Sequence, residues 1–324
     1  MRSDILSMLR NAGGNYVSGE QIAKTLQVSR TAIWKHINEL KLAGYLIESH
    51  SRSGYCLREA PDLLLPQEIQ NGLQTKCLGH TIKYFTDTVS TNNEAKLLAA
   101  NGAPEGMLIV SEAQNAGRGR LSRGWYSPSY KGIWFSVILR PEFLPQEAPK
   151  CTLLAAVAIV TAIKKCCGIE VGIKWPNDIL YEGKKLVGIL TEMSAEMDQI
   201  NHIVIGTGIN VNISREEFPE ELQEIATSLS MISGREIDRL SLLQTCLLEM
   251  ENLYQVVNKQ GFSSVLELWK KNSVTLGQQV RVIGIKDSFS GEAVDIDADG
   301  ALLVRTGNEI QRVLAGDVSI RPQQ

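Results

Sequence analysis

Gln114-Asn115-Ala116-Gly117-Arg118-Gly119-Arg120-Leu121-Ser122-Arg123-Gly124-Trp125 is the stretch on which the reading of this chain turns. Glycines 117, 119 and 124 are interleaved with arginines 118, 120 and 123, and no hydrophobic period runs through them. Such a backbone folds closely over an anion while the guanidinium groups supply charge. Two duller readings fit the same letters, a solvated turn and a nucleic-acid-binding Arg/Gly run. The company the stretch keeps shifts the balance toward a ligand loop. Upstream stands Ser90-Thr91-Asn92, and downstream stand Lys174-Trp175-Pro176-Asn177-Asp178, Lys184-Lys185-Leu186-Val187-Gly188-Ile189-Leu190 and Gly206-Thr207-Gly208-Ile209-Asn210.

Working outward, the apolar run Met107–Ala113 is a strand that delivers this loop, and Ile82–Phe85, Gly132–Leu139, Val171–Lys174, Lys185–Met193 and Ile203–Val211 read as further strands. Thr91-x-x-Glu94 is a capping pattern that makes Thr91 the cap of a helix running to Asn101, with Gly102 as its stop. Cys151–Ile163 is apolar nearly all round and predicts a buried helix. Helices over Leu240–Asn258 and Phe262–Lys271 complete a mixed α/β core. Pro176 is expected to hold Trp175 extended and end the strand ladder, which exposes Asn177 and Asp178 at the rim. Gly206-x-Gly208 is not a dinucleotide fingerprint, because Val211 stands at the third glycine position and no helix pattern follows. A Gly-x-x-x-x-Gly-Lys-Ser/Thr phosphate loop is absent from the sequence.

Toward the N-terminus, a short helix from Ser3 or Asp4 is followed by the capping-box pattern Ser18-Gly19-Glu20-Gln21 and, after Gln27-Val28, by a second cap, Ser29. The helix opened by Ser29 buries Ala32, Ile33, Ile37 and Leu40 and turns Arg30, Thr31, Trp34, Lys35 and Asn38 outward, where they reach phosphates and base edges of a major groove. Strands Tyr45–Ser49 and Tyr55–Arg58 flank a basic tip carrying Arg52, which makes a wing. Residues 1–60 hold 8 Lys/Arg against 5 Asp/Glu within a chain of net charge −3, so a nucleic-acid surface belongs at this end. The pattern resembles a winged helix-turn-helix, for which a protein-interaction module is the competing reading. Beyond Thr275 the texture changes to short strands at Gln279–Ile285, Ser290–Asp295, Ala301–Thr306, Ile310–Val313 and Asp317–Arg321, a small β-barrel.

With 324 residues, 44% hydrophobic and 21% charged, the chain has room for several domains. It shows no signal peptide and no run of membrane-spanning length, so a cytoplasmic location and no membrane partner are expected. Six cysteines without a Cys-x-x-Cys and four scattered histidines predict neither a disulfide framework nor a dedicated metal site.

Taken together, the motifs resemble those of the repressor-type biotin–protein ligases over essentially the whole length. The resemblance implies a multidomain α+β chain: a winged helix-turn-helix over 1–62, a class II synthetase-like mixed-sheet catalytic domain over 63–273, and an SH3-like barrel over 274–324. It implies biotin and ATP as substrates, with Mg2+ arriving on the nucleotide, biotinyl-5′-AMP as intermediate, and a lysine of biotin carboxyl carrier protein as acceptor. Operator DNA, bound by an adenylate-loaded homodimer, is the second implied partner.

Residue by residue, Ser90, Thr91, Asn92, Gln114, Arg118, Gly119, Arg120, Lys185 and Gly188 match biotin contacts. Arg118, Arg120, Arg123, Trp125, Asn177 and Asn210 fall to the adenylate. The chemistry itself falls to Arg118, Arg120, Lys185 and Asp178, and DNA contact to Ser29, Arg30, Thr31, Trp34, Lys35, Asn38 and Arg52. Physically, the arginines and Lys185 neutralise an activated carboxylate. Gly188 leaves room for a flat ligand, Trp125 stacks on adenine or packs in the core, and Asp178 orients and deprotonates the incoming amine. Ser122 departs from the family loop, standing where a glycine is usual. A biotin-sensing repressor without ligase activity and an enzyme for another acid such as lipoate are the competing readings.

Overall fold

The computed structural model describes residues 1–284, 288–315 and 319–322, so the expected strand ends Ile285 and Asp317 lie outside the described residues. The chain divides into two compact units, Met1–Leu73 and Gln74–Gln324.

The first unit runs α1 (Arg2–Asn11), α2 (Gly19–Leu26), α3 (Arg30–Leu42), β1 (Leu46–His50), β2 (Gly54–Glu59) and α4 (Pro66–Gln70). Both expected caps form: Ser18 Oγ accepts from Gln21 N at 3.0 Å and Ser29 Oγ from Ala32 N at 3.1 Å. Neither Ser3 nor Asp4 caps α1, because that helix already starts at Arg2 and Asp4 instead pairs with the Met1 ammonium at 2.6 Å. Ile5, Leu6, Leu9, Ile22, Ile33, Ile37 and Leu40 meet in the core. Gly54, at φ +100°, lets β2 run against Val17, since a Cβ there would lie 2.1 Å from the Val17 carbonyl oxygen. The wing is braced by Glu48, which accepts from Tyr16 Oη at 2.7 Å and from Arg58 at 2.8 Å.

The second unit is built on a seven-stranded mixed sheet. Its elements are β3 (Ile82–Phe85), α5 (Thr91–Ala100), β4 (Leu108–Ser111), the short hairpin β5 (Gly117–Arg118) and β6 (Gly124–Trp125), β7 (Gly132–Leu139), α6 (Lys150–Cys167), β8 (Gly172–Lys174), β9 (Asp178–Tyr181), β10 (Lys184–Ala195), β11 (Ile200–Asn210), α7 (Leu229–Ser233), α8 (Arg239–Gln260) and α9 (Ser263–Lys271). The sheet order is β3-β4-β7-β11-β10-β9-β8, with only the β3–β4 pair parallel. Ala95 and Ala99 of α5 pack on Ile109, Ile138 and Val204 on one face, while α6 packs on α8, α9 and strands β8 to β11. A five-stranded antiparallel sheet follows, in the order β15-β14-β13-β12-β16, from β12 (Gln279–Ile283), β13 (Ser288–Ile296), β14 (Leu302–Thr306), β15 (Glu309–Val313) and β16 (Ser319–Pro322).

Two local expectations are corrected. Thr91 is the first residue of α5 and Ser90 its N-cap, with no side-chain capping bond, because the Thr91 hydroxyl is drawn into contacts beneath the helix. Pro176 does not send the chain off the sheet: residues 175–177 turn, and β9 returns antiparallel to β8 with Asp178 opposite Lys174. Asn177 and Asp178 are consequently half-buried rather than exposed.

Strand alternation sets the two faces of β11. Gly206 and Gly208 face α5 and the hairpin, while Thr207 turns to the opposite face, where its hydroxyl is buried without a hydrogen-bond partner among the described residues. Thr207→Val removes that unsatisfied group at nearly constant shape. It is expected to raise stability by about 1 kcal/mol, a Tm gain of about 2–4 °C in calorimetry.

Candidate active site

The fourteen catalytic, biotin and adenylate residues expected from the sequence all line one cavity of about 430 Å3. Four structural devices bring thirteen of them together, and Gln114 joins from the segment between β4 and β5. The N-terminus of α5 supplies Ser90, Thr91 and Asn92, and the β5–β6 hairpin supplies Arg118, Gly119, Arg120, Arg123 and Trp125. The turn into β9 supplies Asn177 and Asp178, and the β10–β11 ladder supplies Lys185, Gly188 and Asn210. The strand that feeds the hairpin is anchored just before it by a fully buried ion pair, Arg239 Nη1 to Glu112 Oε2 at 2.8 Å.

The arginines are held by partners the sequence did not point to. Arg118 donates to Asn93 Oδ1 at 3.1 Å. Arg120 donates to Asn177 Oδ1 at 3.2 Å and to the Ala315 carbonyl, which ties the hairpin to the C-terminal sheet region. Asn177 in turn donates to the Ile189 carbonyl at 2.9 Å. Leu121, at the tip, takes a left-handed φ of 54°, and Arg123 is exposed. The Ser122 side chain lies outside the described residues.

Lys185 is not a free cation waiting for a carboxylate. Its Nζ lies 2.8 Å from Asp178 Oδ1 and 5.1 Å from the centre of the Trp125 ring. Gly188 likewise makes room for a protein side chain: an added Cβ would lie 2.8 Å from the Trp125 indole at Gly188 and 2.2 Å from it at Gly208. Gly188 lines the cavity beside this indole, which packs on the bare backbone that the missing side chain leaves. Trp125 also meets Trp134 edge-on at 6.5 Å, and its Nε1 is buried against Gly208 with no hydrogen-bond partner among the described residues.

One wall went unread in the sequence. Trp134, Ile213, Phe218 and Ala226 form a cluster against which Trp125, Tyr126 and Leu222 pack. Asn210 holds this wall by donating to the Thr227 carbonyl at 3.0 Å, and Lys185 N donates to the Ile225 carbonyl at 2.8 Å. Isolated apolar residues among polar ones carry no period, so no sequence signal marked the segment.

The floor under Thr91 and Asn92 is polar. Ser136, fully buried on β7, lies 2.8 Å from Thr91 Oγ1 and 2.7 Å from Asn92 Oδ1. Asn92 Nδ2 donates to the Leu190 carbonyl at 3.2 Å and to Glu192 Oε2 at 2.9 Å, and Lys96 pairs with Glu192 Oε1 at 2.7 Å. Burial alone would raise the Glu192 pKa, but hydrogen bonds from Lys96 and Asn92 more than offset it and hold the carboxyl below its ordinary value.

In the first unit, Ser29, Arg30, Thr31, Trp34, Lys35 and Arg52 are exposed and Asn38 is half-buried. Ser29 also spends its oxygen on the helix cap. Trp34 is 59% exposed on α3, an unusual position for a large aromatic ring.

Residues 83–210 match the Biotin/lipoate A/B protein ligase family, residues 2–56 an HTH domain, and residues 275–321 the Biotin protein ligase C terminal domain. The bifunctional ligase/repressor BirA of Bacillus subtilis (strain 168) is 44% identical over 320 residues, which span 99% of this chain and 98% of that protein. The chain belongs to the bifunctional ligase/repressor family. A second member, from Escherichia coli (strain K12), is 30% identical over 311 residues, 96% of this chain and 94% of the relative. Among solved structures, the biotin protein ligase from Aquifex aeolicus in complex with biotin and ATP superposes with a TM-score of 0.66 at 28% identity, covering 75% of this chain and all of that one. The ligase/repressor assignment accounts for all three matched regions in chain order.

Proposed function

We propose that this chain ligates biotin to a lysine of biotin carboxyl carrier protein in two steps and, loaded with the intermediate, represses transcription. The observation that carries the ligase reading is the convergence of the Gly/Arg hairpin, Lys185, Asp178 and the Ser-Thr-Asn helix start on one cavity. In the first step a biotin carboxylate oxygen attacks the α-phosphorus of ATP, the new P–O bond replaces the bond to pyrophosphate, and pyrophosphate leaves. Arg118, Arg120 and Lys185 neutralise the charge that gathers there. Mg2+ enters as the counter-ion of the nucleotide's phosphates. In the second step the acceptor amine attacks the activated carbonyl, AMP departs, and Asp178 takes the amine proton. Trp125 and the wall around Phe218 keep water from the mixed anhydride. Transfer of labelled biotin from ATP and biotin to a purified carrier domain tests this reading, and a folded protein that transfers none contradicts it.

For repression, the basic N-terminal unit presents α3 and the wing to operator DNA as a homodimer that biotinyl-AMP favours. The ligand must therefore bind the dimer-competent state better than the monomer. Operator affinity independent of biotinyl-AMP would contradict the switch. Trp34→Ala is expected to weaken specific operator binding by about 1–3 kcal/mol while leaving the salt slope nearly unchanged, as measured by DNA titration across ionic strengths. Lys35→Ala is expected to lower that slope by about one. Six unpaired cysteines accord with a reducing cytoplasm, and among the described residues no helix is long and apolar enough to cross a membrane.

A further inference from the structure

Resting on the biotin-ligase reading, we propose that Ser136, Asn92 and Glu192 are positioning residues that fix the direction of the Thr91 hydroxyl proton, so that Thr91 faces the ligand only as a hydrogen-bond acceptor and selects a ring N–H. The direction follows from counting donors along the chain of contacts. The Leu190 carbonyl and Glu192 are both acceptors, so the Asn92 amide must turn its Nδ2 toward them and its Oδ1 toward Ser136. Gly206 makes the room that Asn92 occupies, since a Cβ there would lie 1.8 Å from the Asn92 Oδ1. The single Ser136 hydrogen is therefore divided between Asn92 Oδ1 and Thr91 Oγ1.

On the other side, Ser127 Oγ donates to the Trp125 carbonyl at 3.2 Å and accepts from Gln114 Nε2 at 2.9 Å, while Gln114 Oε1 accepts from Thr91 N at 2.9 Å. That orientation offers Thr91 Oγ1 an acceptor at 3.3 Å. The Thr91 hydrogen is thus drawn inward, and a lone pair is left for the cavity. Lys96, beyond the cavity, holds Glu192 ionised and completes the chain. Asn92 spends every polar atom inside the protein, so its part is to set Thr91 rather than to touch biotin. A ring N–H satisfies the open lone pair. A ring oxygen in its place sets lone pair against lone pair and leaves the buried acceptor unpaired.

The test compares biotin with its cyclic carbamate analogue, in which the ring N–H that meets Thr91 is replaced by oxygen, by calorimetric titration of the full chain without ATP. Wild type is expected to prefer biotin by at least about 100-fold. Ser136→Ala frees the Thr91 rotor and is expected to lower that ratio about tenfold, partly by gaining affinity for the carbamate. Glu192→Gln, which lets the Asn92 amide reverse, is expected to lower it about threefold, and it decides the matter alone if Ser136→Ala does not fold. Weakening of both ligands by a common factor, with the ratio within twofold of wild type, is what a merely structural role produces and overturns the proposal. Failure of the wild type to bind biotin at all would instead remove the ligase reading on which it rests.

Discussion

Asp178→Asn is expected to separate the two half-reactions. Asp178 Oδ1 lies 2.8 Å from Lys185 Nζ, and its backbone sits opposite Gly188 in the β9–β10 ladder, so it is held on the rim of the cavity beside the cation proposed to meet the substrate carboxylate. On the proposed reading, a biotin carboxylate competes with Asp178 for Lys185. Asparagine keeps the shape and removes both the competing charge and the base. The KM for biotin in pyrophosphate exchange is therefore expected to fall, while single-turnover transfer from preformed biotinyl-AMP to the carrier slows by about 10²–10⁴-fold. Equal losses in both steps would show that Asp178 serves only to position Lys185.

Lys185→Met is expected to act on the other step, slowing adenylation by about 10²–10³-fold. Methionine retains an unbranched apolar stem beside Trp125 but strands the half-buried Asp178 without its partner, so the KM for biotin rises as well. Adding Asp178→Asn to this variant removes the stranded carboxylate and is expected to recover much of the KM but none of the lost kcat. A double-mutant cycle on exchange kinetics reads the coupling directly, and strictly additive effects would mean that the pair seen in the structure has no bearing on substrate binding.

How far the sequence reached follows from the kind of signal each element carries. Strands β3 and β7 were legible to the residue, because Val/Ile/Phe/Trp-rich runs ending at breakers leave little freedom. The caps at Ser18 and Ser29 were legible because capping chemistry is local. β9 was not, although Glu182-Gly183 carried the sign of a tight hairpin turn, and both residues take left-handed φ values of 48° and 81°. Pro176 masks that turn, because a proline ordinarily ends a ladder.

At the cavity, which residues converge was readable and how they pair was not. Asp178 and Lys185 were both named, but only folding shows them neutralising each other across a hairpin. Ser136 escaped notice because one serine inside an apolar strand has no motif. Its role appears only when β7 is stacked beneath α5. The Phe218 wall depends on tertiary contacts with Trp134 and Tyr126 that no local period announces.

The most direct measurement of the central claim is biotin-dependent exchange of labelled pyrophosphate into ATP by the purified chain, beside Arg118→Ala. The account predicts exchange that requires biotin and drops by about 10²-fold or more when the Arg118 guanidinium is removed. Wild-type protein that is folded and binds biotin, yet supports no exchange across a range of Mg2+ concentrations, would contradict the ligase assignment and leave a biotin-sensing repressor.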